Sequence, residues 1–356
     1  MFDDALSTKL KILSLVSIFL VLLNHIGLPD LRLKEWVEVI TRPNRVLFFG
    51  IAGFLFTSGF PFLKERLLQK WSNRAKTLLV PYLITIILGK VGVVAYICVV
   101  PQVLLEESKF LAPFWNGGHL RWADLLFSQA APQLWFLEGL MLAVVLYGAV
   151  LVSTRWNRAV NIALVAASLA GFYVLPSMFL QALLFFGVGT LLARRASLLT
   201  SAGPGLVLTG ALGLAWVGCM WGSLTMAAAT KASVAGATLF LAHSGIGAVF
   251  LWMAIDRIPD ALRKVLDPFC PYVFPIYLLH MGVLALVRSV VQSLFRGSWA
   301  ENLAGLMVIA LLSAYGSFLL ARSIETAFPS FAALWFGGRG ATRQGAARTA
   351  KVAPAP

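Results

Sequence analysis

Six ionisable side chains interrupt long apolar stretches of this chain: His25, Lys90, Glu138, His243, His280 and Arg288. Such groups are costly inside a membrane span unless they face a polar interior, so chemistry is expected among them first. His25 closes the run LKILSLVSIFLVLLNH, and Glu138 lies near the start of WFLEGLMLAVVLYGAV. Read as helices running in opposite directions, these place both residues in the same half of the membrane. His25 stands roughly 22 Å from the inner end of its helix at about 1.5 Å per residue, and Glu138 lies in the first turns of its own. A neutral imidazole can take a proton from an alcohol near working pH, and a carboxylate on its other nitrogen would fix the tautomer. His25 is thus the candidate general base and Glu138 its candidate partner. The plainer alternatives are an interhelical hydrogen bond for His25 and pairing with Lys90 or Arg288 for Glu138. His243 and His280 are expected nearer mid-membrane, either lining a site or bridging helices, and Trp135 could stack on a sugar face or sit at the interface.

The elements that must position these groups follow from composition. Of 356 residues 59% are hydrophobic and only 12% charged, with mean hydropathy +0.84. A soluble fold could not cover that much apolar surface with so few charges. Ten stretches approach the roughly 20 apolar residues a span needs: about 9–28, 45–63, 78–100, 133–153, 159–175, 177–193, 198–220, 234–255, 272–292 and 303–321. The expected fold is an all-α integral membrane bundle of about ten helices. Lys and Arg concentrate on the side that carries residues 64–76, 155–158, 194–195, 257–264 and 322 onward, whereas the acids divide evenly. By the positive-inside rule that side is cytoplasmic, and both termini with it. The net charge of +14 is therefore a matter of topology and anionic lipid, with no nucleic-acid partner implied.

The inner loop KERLLQKWSNRAKTLLVPY clusters Lys64, Arg66, Lys70, Arg74 and Lys76 ahead of Pro81, which opens the third span. Such a cluster beside a helix start can cradle phosphate, or simply obey the positive-inside rule. The longest segment between spans, about 101–132, is expected outside, covering a site. Residues 1–330 read as one membrane domain, and the Gly-, Ala- and Arg-rich residues 331–356 as a disordered basic tail. Cys98, Cys219 and Cys270 are too scattered to suggest a disulfide framework or a metal site.

Several motifs coincide in order: LLNHIG, RVLFFGIAGFLFTSGF, RAKTLLVPY, QLWFLEGL and YVFPIYLLH. Together they resemble the membrane acyltransferase type 3 family, including its fucose O-acetylase-like and exopolysaccharide members, from about residue 10 to 321. The resemblance implies a ten-helix bundle that takes an acyl group from cytoplasmic acyl-CoA, as co-substrate with no bound cofactor, and delivers it to a carbohydrate hydroxyl. His25 matches the family's catalytic first-span histidine, and Arg74 one basic residue of its donor-binding inner-loop motif, with Lys76 nearby. Tyr277 and His280 match a late Tyr-x-x-His segment. There is one departure: eleven residues before the histidine, where the family often has a basic residue, stands Ser14. Ser14 is kept with Arg74 and Lys76 in the expected donor-binding set, and Trp135, Lys90, Tyr277 and His280 in the substrate-lining set.

The expected function is a membrane O-acyltransferase moving an acetyl or other short acyl group to a cell-surface or lipid-linked carbohydrate. The expected location is a bacterial inner membrane. The rival reading is a transporter or flippase for a glycan or lipid-linked sugar, because buried His, Glu and Lys also suit proton coupling.

Overall fold

The computed structural model describes residues 4–26, 31–58, 64–99, 115–116, 119–120, 132–153, 157–193, 205–226, 233–291 and 299–339. The helices are α1 (Asp4–His25), α2 (Leu31–Thr41), α3 (Pro43–Thr57), α4 (Lys64–Arg74), α5 (Val80–Val99), α6 (Trp135–Ser153) and α7 (Asn157–Val174). They continue with α8 (Met178–Ala193), α9 (Leu206–Thr225), α10 (Val234–Ala254), α11 (Asp260–Leu266), α12 (Val273–Val291), α13 (Trp299–Ala327) and α14 (Pro329–Trp335). Two short strands, β1 (Trp115–Asn116) and β2 (His119–Leu120), pair antiparallel; the remainder of the expected outer loop lies outside the described residues. Among the described residues seven helical segments are long and apolar enough to cross a membrane, and three further apolar helices, within α6, α7 and α8, are shorter. The chain is therefore a multi-pass, helical membrane protein.

Three elements differ from the reading of the sequence, each for a local reason. The second apolar helix does not begin at 45: α2 precedes it, burying Leu33 and Val37 against Leu284, Leu306 and Ile309. Pro43 then starts α3 directly, with Arg42 joining the two helices in helical conformation, so Arg45 lies inside α3 and not at its first residue. The basic stretch 64–74 is likewise a helix, because Leu67 and Trp71 recur at the i, i+4 spacing that buries one face. Leu67 is in the core, and Trp71 Nε1 donates to the Val144 carbonyl at 3.3 Å. Between α4 and α5 lies one π-helical turn, Ala75–Leu79. Pro81 has no N–H to return to the Thr77 carbonyl, so an ordinary α-helical ladder is interrupted at this point.

The third difference is at the C-terminus. Residues 331–339, assigned from composition to a disordered tail, are ordered. α14 docks Ala332, Trp335 and Phe336 into the main core, and Trp335 Nε1 donates to Thr85 Oγ1 at 2.9 Å. Composition misled because the Gly and Arg of residues 337–356 dominate the average, whereas α14 itself is PSFAALW. Residues 340–356 lie outside the described set.

The core joins α1, α3, α6, α8 and α12 around Leu22, Phe49, Leu137, Phe186 and Ile276. Its closest approach is between α3 and α8, which lie with their N-terminal ends together, Arg45 Nη1 donating to Gln181 Oε1 at 3.2 Å. A Cβ at Gly53 would stand 2.9 Å from the Phe186 carbonyl carbon and closer still to its oxygen; one at Gly189 would press equally on Gly50. These glycines let two backbones touch, as small residues do between membrane helices. Gly53→Ala and Gly189→Ala are each expected to destabilise the protein by about 1–3 kcal/mol, the usual cost of overpacking. Thermal unfolding in detergent checks this against Gly92→Ala, where nothing lies within 4 Å of the added carbon and no loss is expected.

Candidate active site

α1 ends in Asn24 and His25, and α3 begins with Asn44, Arg45 and Phe48. These five, with Val21, Gln133, Trp135, Phe136 and Tyr277, line a pocket with about 30 Å³ of space for solvent. That is room for about two waters or one small polar group. Four elements converge here: the end of α1, the start of α3, the turn into α6, and α12. The pocket is held open by polar contacts at its rim. Thr41 Oγ1 donates to Asn24 Oδ1 at 3.2 Å, and the Arg45 guanidinium lies 5.5 Å from the centre of the Trp135 ring. Arg45 and His25 thus line the same pocket.

His25 meets a second histidine. The ring centres of His25 and His280 are 5.4 Å apart. His280 is fully buried, and its Nδ1 lies 2.7 Å from the Tyr277 carbonyl. A carbonyl oxygen only accepts, so Nδ1 carries the proton and Nε2 of the neutral ring is an acceptor. That Nε2 has no hydrogen-bond partner among the described residues. A buried acceptor without a partner is costly, more so in a membrane, and a donor on His25 or on a substrate would relieve it. Tyr277 is fixed in turn by donating its hydroxyl to the Gln133 carbonyl.

The remaining sequence-derived residues separate clearly. Trp135 and Tyr277 line the pocket. Glu138 does not line it; its Oε1 accepts from Tyr82 Oη at 2.6 Å, which ties α6 to α5. Ser14 donates back to the Leu10 carbonyl at 2.8 Å within α1, about 16 Å from His25 by helical rise. It lines neither pocket described here. Lys90 is half-buried on α5 and also lines neither. His243 is buried on α10, its ring stacked at 6.1 Å on Trp216 of α9, and does not line the pocket. The Arg288 side chain lies outside the described residues.

Arg74 lines a second pocket, with Leu55, Phe56, Lys70, Asn73, Thr77, Gly337 and Arg339, holding about 320 Å³ of solvent space. Lys76, on the π turn, is exposed and is not part of its lining. The two pockets share α3: Asn44, Arg45 and Phe48 at one end, Leu55 and Phe56 at the other. Ten residues separate Arg45 from Leu55, which is about 15 Å of helix. α12 runs between the pockets with Phe274, Tyr277 and His280 at i, i+3 spacing. The Phe274 and Tyr277 rings stack at 6.3 Å, and Tyr277 lies 5.9 Å from His280. Arg339 sits 4.0 Å over Phe274. One stripe of rings thus runs from the larger cationic pocket to the histidine pair.

Sequence reasoning overlooked Arg45 and Arg339. Arg45 stands at the first residue of the second apolar stretch, where it reads as a flanking charge, although Pro43 two residues earlier is a helix-start signal. Arg339 was counted in the tail, although Trp335, Phe336 and two glycines make a helix-stop signature.

No curated protein and no solved structure matches the chain. An acyltransferase-domain family matches residues 10–322, from the first turns of α1 to within α13. On that match, which covers most of its length, the chain belongs to the acyltransferase type 3 family of membrane acyltransferases.

Proposed function

We propose that this protein is an acyl-CoA-dependent O-acyltransferase that transfers an acetyl group to a hydroxyl of a cell-surface or lipid-linked carbohydrate. The observation that carries the reading is the pair of pockets at the two ends of α3. One is a cationic pocket large enough for a phosphorylated donor; the other is a small pocket lined by His25, whose ring packs against that of His280. An extended pantetheine arm is of the same order of length as the α3 segment between them. Phosphates would rest by Arg74, and the thioester would reach the His25 end along the α12 ring stripe. In this reading the ten apolar helices all span a bacterial inner membrane, with the Arg74 end cytoplasmic and the His25 end outward.

The chemistry then follows from the side chains. His25 takes the proton of the acceptor hydroxyl while that oxygen attacks the thioester carbonyl. His280 orients the ring of His25 through its free Nε2, the part first expected of Glu138. Arg45, aided by the Asn44 amide, faces the developing oxyanion. Collapse of the tetrahedral intermediate breaks the carbon–sulfur bond, and the imidazolium returns its proton to the departing thiolate. Trp135 offers a ring face to the acceptor sugar beside Arg45. Glu138 keeps Tyr82, and through it α5, in register with α6.

Transfer of labelled acetyl from acetyl-CoA to a glycan acceptor by purified protein tests the reading. His25→Ala is expected to lower the rate by about 10²–10⁴-fold, the range for loss of a general base, with the melting temperature unchanged. Full activity in the folded variant would remove His25 as the base. Acceptor translocation without acyl transfer would replace the reading with the transport one.

Arg45→Gln is expected to cut kcat by about 10²-fold, as loss of one oxyanion donor does, while leaving the KM for acetyl-CoA nearly unchanged. A rise in that KM at constant kcat would instead place Arg45 in donor binding.

A further inference from the structure

The cationic pocket is closed by a part of the chain outside the matched family region, residues 329–339. α14 anchors this segment through Trp335 and Phe336, and the chain then turns sharply at Gly337 and Gly338, with φ of 62° and 70°. A Cβ on Gly337 would stand 2.7 Å from the Thr77 carbonyl oxygen and 2.8 Å from its Cα. Only glycine suits both that backbone conformation and that approach. The turn is therefore seated on the π-helical turn that follows Arg74, and it delivers Arg339 into the pocket with Arg74.

Charge balance in this pocket is unusual. Lys70 donates to the Phe56 carbonyl at 2.6 Å. Arg74 and Arg339 both line the space, and neither makes a salt bridge with a carboxylate among the described residues. Burial, and next the Arg74 guanidinium, pull Arg339 down to about 10, so it stays charged at neutral pH. Two guanidiniums brought together without an acid lack a counter-charge, and the group that best supplies one is a multiply charged phosphate bound through both.

Resting on the acyl-CoA reading of this pocket, we propose that the C-terminal segment is part of the donor site. Arg339 and Arg74 together bind the donor's diphosphate, with the Gly337–Gly338 turn as the hinge that holds Arg339 in place. The occupant is a nucleotide-type diphosphate, for which a volume of about 320 Å³ is sufficient.

Calorimetry on the full chain in phosphatidylcholine nanodiscs tests this with inorganic pyrophosphate, ADP and coenzyme A as probes. All three are expected to bind. Arg339→Gln should weaken each by tenfold or more, and Arg339→Lys, which keeps the charge and stem but not the fork, by an intermediate factor. Arg322→Gln makes the same charge change at an exposed position on α13 and should leave binding within twofold of wild type. Equal weakening by the Arg322 and Arg339 variants, or wild-type binding in Arg339→Gln, would overturn the proposal. So would absence of pyrophosphate and ADP binding by the wild type. If Arg339→Gln lowers the melting temperature, the Arg339→Lys result decides, and wild-type binding there overturns it. The measurement is repeated with phosphatidylglycerol in the nanodisc; competition by that lipid that disappears in Arg339→Gln would assign the site to a lipid headgroup and overturn the donor assignment. The acyl-CoA reading fails separately: Arg339-dependent pyrophosphate binding without acyl transfer sinks that reading and leaves the diphosphate site standing.

Discussion

The contact between α3 and α8 sets the geometry of everything else. Lipid gives helices no hydrophobic reason to associate, so close van der Waals packing must do so, and Gly53 and Gly189 allow it by bringing main chain against main chain. The consequence is positional accuracy in α3. That helix carries residues of both pockets, so any slack in its seating would move Arg45 relative to His25 and Phe56 relative to Lys70. Side-chain packing alone leaves rotamer freedom; backbone contact removes it. Gln181 adds direction, since its bond to Arg45 pins the N-terminal end of α3 to that of α8.

α12 does for the path between the pockets what α8 does for their spacing. A helix repeats every 3.6 residues, so each step of three shifts a side chain by about 60° around its surface. Phe274, Tyr277 and His280 therefore wind along one side of α12 in ring-to-ring contact, and Phe136 packs edge-on at 5.6 Å from Tyr277. The rings are large, rigid and dry. They offer an apolar wall, and the Tyr277 hydroxyl and His280 Nδ1 are spent on backbone carbonyls. What stays open is His280 Nε2, at the end where the small pocket lies.

Much of this was legible in the sequence. Runs of apolar residues locate the helices, the histidine at the end of the first run marks the small pocket, and Arg74 marks the large one. Tyr277 lines the small pocket, whereas His280, one turn further along α12, packs against His25 behind that lining. The partner of His25 was harder. Depth along two helices says that His25 and Glu138 share a level, but not which faces they present, and Glu138 turns to Tyr82. Ser14 is a similar case, since a hydroxyl in a helix can satisfy itself on the carbonyl four residues back and need not face a ligand. Arg45 and Arg339 were obscured for the opposite reason: each sits in a charged or glycine-rich stretch whose average composition says loop, while the few residues just before it say helix.

The docking of α14 bears on how the protein is made. Trp335 and Phe336 belong to the main core beside residues from α1, α3 and α5, yet they are synthesised after every long apolar helix. Until they emerge, the Thr85 hydroxyl lacks the indole that caps it and the wall around Leu78 lacks its last aromatic. The molecule cannot reach its final packing while the ribosome is still translating its membrane helices. A chain interrupted after α13 would carry the long helices described above and an unfinished core.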